Sequence, residues 1–361
     1  MKALLAFEVF LCLTLCSART ARDQQQAPSG YDKYERPAAS IEVGVGISVR
    51  NLEYVSTVDR KYKCQLLVRT TWIDERLAHT SKEEYLSYPV DQVWIPDVIF
   101  ENELNPSQLR GALRDDSKIR VGRSGMVHLN QRVSAEFACP MDLQNFPYDI
   151  QKCPLIITSW TASLPQLQLM WNPQPVVVYK HAFSVSDFAL RSFETENCTS
   201  TTPIGVYSCL QVNLTLKRMI TPYVIRLYAP MIVCVVVASL SFWIQCSPVR
   251  IVVLMIDLLG AAAIEQVAAH TSTFGDYTTY IDIFSGVSIA FVLLSLLEFV
   301  VVQSIFKREL MSEKLHSMMN DIRSNGLDIT CRIIMPLLYA FFVTAYFAVA
   351  FFLLDDEYPP S

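Results

Sequence analysis

A chain of 361 residues is long enough for more than one domain, and its net charge of −5 leaves no basic footprint, which argues against nucleic acid as a partner. The apolar share of 52% is ordinary as an average, yet from Thr221 onward long apolar runs dominate, while the preceding part reads as a soluble domain. No GxSxG, HExxH, P-loop or dinucleotide fingerprint occurs and the five histidines are scattered, so neither an enzyme nor a bound cofactor is expected.

In chain order, residues 1–18 read as a secretory signal peptide. Lys2 supplies the positive start, Ala3 to Cys16 an apolar stretch, and Cys16-Ser17-Ala18 small residues for cleavage before Arg19. Residues 19–36 read as a polar leader. From about Ile41 to Arg218, runs of strand formers such as Cys64 to Thr70, Val176 to Tyr179 and the alternating Val212 to Leu216 predict strands. Turn signals at Asn105-Pro106, Asp115-Asp116, Arg123-Ser124-Gly125 and Asn172-Pro173 separate them. Glu83 to Tyr88 reads as a helical turn. The pattern predicts one all-β, immunoglobulin-like sandwich within a secreted region 19–221.

Four later runs approach or exceed the ~20 residues a membrane span needs: Val224 to Ile244, Val249 to Ala269, Ile281 to Ile305 and Ile333 to Leu354. They predict a four-helix transmembrane domain over 222–354. With the N-terminus outside, four spans return the tail, 355–361, to the outside. The connections expected inside carry Arg250, Lys307, Arg308, Lys314 and Arg323, as the positive-inside rule requires. The inner linker 307–328 is short, and Met311, Leu315, Met318, Met319 and Ile322 in it follow helical spacing. A multi-pass plasma-membrane protein with both termini outside is expected.

Five cysteines, Cys64, Cys139, Cys153, Cys198 and Cys209, fall in the oxidising compartment. Four of them allow three pairings; the local pairs Cys139–Cys153 and Cys198–Cys209 are the simplest and leave Cys64 unpaired. No Cys/His spacing suggests a metal site. Asn197 and Asn213 open glycosylation triplets, whereas Pro106 disqualifies Asn105.

The segment Cys139 to Cys153, thirteen residues between cysteines with Phe146-Pro147 at its centre, resembles the signature loop of Cys-loop receptors. Other marks follow in order: Trp72-x-Asp74-x-Arg76-Leu77, Trp94-x-Pro96-Asp97, Trp160, Lys217-Arg218, Pro230, Asp282 and Pro336. The resemblance covers roughly residues 40–354 and implies a homo- or hetero-pentamer around a pore in the lipid bilayer. Within the family, Cys198 and Cys209 with ten residues between, and Cys139-Pro140-Met141-Asp142-Leu143, look like glycine-receptor-type anion-channel subunits.

That resemblance assigns roles residue by residue. One helical face of the second span, carrying Pro248, Val252, Ile256, Leu259, Ala263, Gln266 or Val267, and His270, would line the pore. Leu259 would form an apolar gate ring. At the inner mouth, Pro248-Val249-Arg250 lacks the glutamate that cation-selective relatives carry, which implies chloride as the permeant ion. Asp257 should lie off the pore face and touch a neighbouring helix. Agonists bind between neighbouring sandwiches. Trp160 and Tyr207 would supply an aromatic cage from one subunit; Leu67, Arg69, Asn130 and Arg132 would supply the other wall, favouring a ligand with an anionic group.

Three positions depart from the glycine-receptor pattern: Glu101, Thr158 (a glutamate there) and Thr202 (an aromatic there). Phe146, Pro147, Tyr148 and Asp149 would sit at the membrane near Thr271 to Tyr280 and couple binding to the pore. Arg218 would anchor the last strand through a carboxylate, with Glu53 or Asp59 as candidates. Two rival readings stand beside this one: a subunit that conducts poorly or only with a partner subunit, and a four-span adhesion or scaffold glycoprotein.

Overall fold

Burial alternates along the strands with the two-residue period that a pleated chain dictates. In β1 (Ile41–Ser56) and β2 (Lys61–Ile73), Val43, Val45, Tyr62, Leu66, Val68 and Trp72 turn inward, while Lys61, Lys63, Leu67, Arg69 and Thr71 take the other face of β2. The computed structural model describes residues 26–105, 117–179, 187–244, 247–271, 278–309 and 314–356; the expected signal peptide lies outside them. The remaining strands are β3 (Tyr85–Tyr88), β4 (Val98–Phe100), β5 (Ser117–Gly122), β6 (Met126–Ala138), β7 (Ile150–Ser159), β8 (Leu167–Val178), β9 (Phe188–Thr202) and β10 (Gly205–Arg218). A six-stranded sheet runs β3-β5-β6-β2-β1-β8 and a four-stranded sheet β4-β7-β10-β9. Phe137 of the first sheet meets Phe100 of the second edge-on at 5.2 Å, and the Tyr62 hydroxyl donates to Pro154 O across the core at 2.8 Å.

The chain divides into two compact units, Met1–Met141 with Gln151–Leu216, and Asp142–Ile150 with Lys217–Ser361. In the first, disulfides join Cys139 to Cys153 and Cys198 to Cys209, and Cys64 is a buried free thiol, its pKa pushed up by burial.

Two expectations are corrected. Tyr85–Tyr88 is a strand, not a helical turn, because pairing with β5 buries Leu86 and Tyr88. Asn172-Pro173 is not a turn between strands: it lies inside β8, where the register with β1 slips between Val45 and Ile47 and absorbs the proline. Arg123-Ser124-Gly125 is the β5–β6 turn, with Gly125 at φ 80°.

The expected polar leader is tied to the sandwich from Ala27 onward. The Tyr31 hydroxyl donates to Asp74 Oδ2 at 2.8 Å and accepts from Trp94 N at 3.0 Å, and Arg76 stacks on the Tyr31 ring. Burial pushes that hydroxyl up to about 12, so it stays a donor. Asp74 is fully buried and also accepts from the backbone N and guanidinium of Arg76, which gives the Trp-x-Asp-x-Arg motif a structural cause. Asp74→Ala should therefore destabilise the sandwich by about 1.5–3 kcal/mol, the usual worth of hydrogen bonds to a charged group. Thermal melting of the purified full chain reads this, and an unchanged melting temperature would contradict it.

In the second unit, the helices α1 (Thr221–Trp243), α3 (Tyr280–Glu309) and α4 (Lys314–Asp356) each contain a stretch long and apolar enough to cross a membrane. The helix α2 (Ser247–Thr271) has 25 residues, about 37 Å, and carries Arg250, Asp257 and Glu265. Pro230 cannot donate to Arg226 O, and the preceding turn, Val224–Tyr228, is widened to π geometry. Val235 and Ala238 of α1, Leu254 of α2, Val292 and Phe299 of α3, and Tyr339 of α4 form the bundle core. The backbone of the expected 307–328 linker is helical from Lys314 and runs into α4 without a break.

Candidate functional site

The outer face of the six-stranded sheet, turned away from the core, is chemically divided. In the β2–β6 ladder Leu67 lies opposite Arg132, Arg69 opposite Asn130 and Thr71 opposite His128. Directly opposed residues share a face, so the structure brings the four predicted residues Leu67, Arg69, Asn130 and Arg132 together. β5 extends the rows, with Lys118 opposite Asn130 and Arg120 opposite His128. Near the other end of the same face, Lys61 pairs with Glu136 at 3.2 Å and Lys63 with Glu53 at 2.8 Å. Among the described residues Arg69, Lys118, Arg120 and Arg132 have no such carboxylate. Burial holds the His128 imidazole below its ordinary value, so it is neutral at pH 7 and the charge of this region belongs to the arginines and the lysine.

Lys118, Arg120 and His128 were not anticipated. Alternation two residues before Asn130 would have found His128; the other two depend on knowing that β5 pairs with β6.

The predicted aromatic wall lies on the second sheet. Trp160 is 58% exposed, unlike the buried Trp72 and Trp94, so it is not a core tryptophan. Its backbone N donates to Asp97 O at 3.0 Å, and Leu164 N to Val206 O at 2.8 Å fastens the following turn beside Tyr207, which is half-buried. Glu101 is exposed at the end of β4. Thr158 is buried and its hydroxyl donates to Ser208 O at 3.3 Å, so it faces no ligand in this subunit. Thr202 is exposed at the end of β9 and donates to Gly205 O. Of the two sequons, Asn197 is exposed on β9, whereas Asn213 is half-buried on β10 and accepts from Gln211 Nε2 at 2.7 Å.

In the second unit, Phe146, Pro147, Tyr148 and Asp149 are all buried, and Phe146 packs edge-on to Tyr223 at 5.1 Å. Arg218 does find a carboxylate, but it is Asp149, neither Glu53 nor Asp59. Its Nε donates to Oδ1 at 2.7 Å and its second terminal nitrogen to Oδ2 at 2.9 Å, with 1% and 2% of the two side chains exposed. The guanidinium also lies 4.6 Å from the Phe146 ring and donates to the Tyr223 hydroxyl. Glu53 is occupied by Lys63 and Gln65, and Asp59 by Ser56 and Lys61. Of the expected neighbour, Thr271 to Tyr280, residues 272–277 lie outside the described residues.

α2 has two faces. Arg250, Leu254, Asp257 and Ala261 are buried at helical spacing. Pro248, Val249, Val252, Ile256, Leu259, Ala263 and Gln266 are exposed, with Ile256 at 65% and Leu259 at 67%; the side chain of His270 lies outside the described residues. Arg250, expected at the inner mouth, turns into the bundle, pairs with Glu298 of α3 and lies over the rings of Phe242 and Phe299. Asp257 is buried beside the Cys234 thiol of α1.

A β-sandwich with this disulfide-closed loop, followed by apolar helices, defines a receptor-channel architecture, and the family model for the neurotransmitter-gated ion-channel ligand-binding domain matches residues 21–220. The chain belongs to the neurotransmitter-gated ion-channel, or Cys-loop, family, whose members are pentamers with four-helix transmembrane bundles and which is a family of channels, not enzymes. It is a multi-pass membrane protein. It is 33% identical over 293 residues to a glutamate-gated chloride channel of Drosophila melanogaster, covering 78% of this chain and 62% of the relative. It is 29% identical over 278 residues to a glutamate-gated chloride channel subunit beta of Haemonchus contortus, covering 74% and 64%. The chain thus spans about three fifths of the length of the curated relatives it matches.

Proposed function

We propose that the chain is a subunit of a pentameric, chloride-selective channel opened by an acidic amino acid that binds between neighbouring sandwiches. The observation that carries this reading is the row of cations around Arg69 and Arg132 that have no carboxylate partners among the described residues. An arginine fork matches a carboxylate through paired charge-assisted bonds. The ligand's amine would go to the aromatic pair Trp160 and Tyr207 of the adjacent subunit, where exposed Glu101 adds an anionic contact. That the two relatives are glutamate-gated chloride channels supports the choice of agonist and ion.

In this reading residues 1–18 are a signal peptide, 19–221 face the outside at the plasma membrane, 222–354 span it with an inner segment at 307–328, and 355–361 are outside. Phe146, Pro147, Tyr148, Asp149 and Arg218 couple the two regions. Pro248 and Val249 shape the inner mouth, Asn197 and Asn213 carry glycans, and the exposed face of α2 lines the pore.

Labelled glutamate binding to membranes bearing the full chain tests the agonist. Binding should be saturable and fall about ten- to a hundredfold with Arg69→Ala or Trp160→Ala. Saturable binding indifferent to both site substitutions, or none at all, would sink this agonist class.

A second reading is favoured by one observation: the exposed face of α2 is wholly apolar from Val249 through Val252, Ile256 and Leu259. Such a pore resists wetting, and a subunit that binds ligand but needs a partner to conduct would reach the surface without current.

A further inference from the structure

The inward face of α2 carries a carboxyl group that the bundle leaves half satisfied. Arg250, Leu254, Asp257 and Ala261 recur on that face at helical spacing, and Asp257 is only 8% exposed within a single chain. Its surroundings are the apolar core of the bundle, with Leu254 one turn before it and Val235 beside its neighbour Cys234. The Cys234 thiol of α1 donates to the carboxyl, and a thiol is a weak donor. Among the described residues Oδ2 has no hydrogen-bond partner. The charged groups on the surrounding helices are committed elsewhere. Arg250, two turns and about 10 Å along the same face, is held by Glu298 of α3. Asp282 of α3 accepts from Thr279 N, Arg226 of α1 is exposed, and Arg332 of α4 donates to Phe242 O. Glu265, two turns outward on α2, is a second acid and offers no counter-charge. The Tyr339 hydroxyl of α4, on the side of Cys234, is bonded to Ser288 Oγ at 3.0 Å.

We propose that Asp257 is a proton-binding site inside the bundle, and that the proton on it sets how well chloride passes. A carboxylate taken out of water without a paired charge or a full set of donors is costly; a solvent proton bound at Oδ2 removes the charge and breaks no other bond. With the proton in place the carboxyl is neutral. Without it, five carboxylates stand behind the wall of the pore and oppose an anion. The conduction part of this proposal rests on the reading of the exposed α2 face as the lining of a chloride pore. Ile256, the preceding residue, is 65% exposed on that opposite face, so the carboxyl lies within one helix diameter of the lumen, about 10 Å. Over that distance through apolar packing, charges act with little screening by salt. Trp160, Tyr207 and the cations of the six-stranded sheet take no part, so the site does not depend on which agonist opens the channel.

Infrared spectroscopy of the purified full chain reads the proton directly. A protonated-carboxyl band should grow as the pH is lowered and be missing from Asp257→Asn, whereas Glu265→Gln should keep it. The role in conduction is read from chloride current in Leu259→Thr, whose standing current needs no agonist. Moving from mildly alkaline to mildly acidic pH should raise that current about tenfold. Adding Asp257→Asn, which is neutral at every pH, should hold it at the acid level throughout, and adding Glu265→Gln should leave the pH dependence in place. Were Asp257→Asn to reach the surface poorly, Asp257→Ser, smaller and also neutral, should remove both the band and the pH dependence. A carboxyl band that Asp257→Asn leaves unchanged at every pH overturns the proposal, as does pH dependence of the current that survives in Asp257→Asn. Failure of the chloride reading appears differently. A titrating Asp257 band with surface protein but no current, or with a current that falls on acidification, supports the proton site and rejects the chloride pore on which the conduction part rests.

Discussion

Arg218→Glu should leave little protein at the cell surface and no gated current. The unaltered pair is bidentate and almost wholly enclosed, with the Phe146 ring against the guanidinium and the Tyr223 hydroxyl on its remaining edge. Reversing the charge sets two carboxylates together in a site built for one. Breaking a buried pair costs about 3–5 kcal/mol because a charge is left uncompensated, a large share of the roughly 5–15 kcal/mol that holds a folded domain together. Asp149→Ala should do nearly as much harm, since it strands Arg218. Arg218→Lys keeps the charge but loses the second of the two parallel bonds and should fall between. Surface biotinylation paired with whole-cell recording reads the outcome. Normal surface level with normal current from Arg218→Glu would remove both the structural and the coupling role.

Leu259→Thr is the second large effect. Val252, Ile256 and Leu259 lie on one exposed face of α2 over about two turns, and no hydroxyl interrupts them. If that face lines the pore, five copies make three stacked apolar rings, and a narrow apolar constriction dewets. A hydroxyl at the most exposed of the three positions should hydrate the constriction and give standing current without agonist. Replacing external chloride with a large anion should shift the reversal potential. A shift with sodium instead would overturn the anion reading of Pro248-Val249. Surface protein without current would favour the subunit that needs a partner.

How far the fold was legible depends on the range over which its causes act. Three of the four expected spans, those in α1, α3 and α4, follow from local composition, and the β2 face carrying Leu67 and Arg69 follows from alternation alone, so both could be read directly. The local cysteine pairs are short loops, and the structure closes them. Glu83-Glu84 leans towards helix, yet Tyr85–Tyr88 joins a sheet because β5 offers it partners and buries two of its side chains; here tertiary context overrides propensity. Asn172-Pro173 has the composition of a turn, but it sits in a bulge of β8, which resumes its pairing with β1 at Val176. The partner of Arg218 is 69 residues away, and Glu53, Asp59 and Asp149 differ in nothing a linear reading can weigh. Arg250 illustrates the same limit: its position beside Val249 suggests the pore mouth, but Glu298, 48 residues on, draws it into the bundle.

The uneven distribution of charge on the six-stranded sheet also has a kinetic meaning. Lys61 and Lys63 are cancelled by Glu136 and Glu53, whereas among the described residues Arg69, Lys118, Arg120 and Arg132 lie together without such cancellation, so the face carries a gradient of potential along its strands. An anionic solute arriving anywhere on it is drawn toward the uncancelled end before it makes a contact. Such steering raises association rates and is screened over about 10 Å at 0.1 M salt. The approach of anions to this surface is therefore fast in dilute buffer and slows as ionic strength rises, while their departure, governed by the contacts themselves, changes far less.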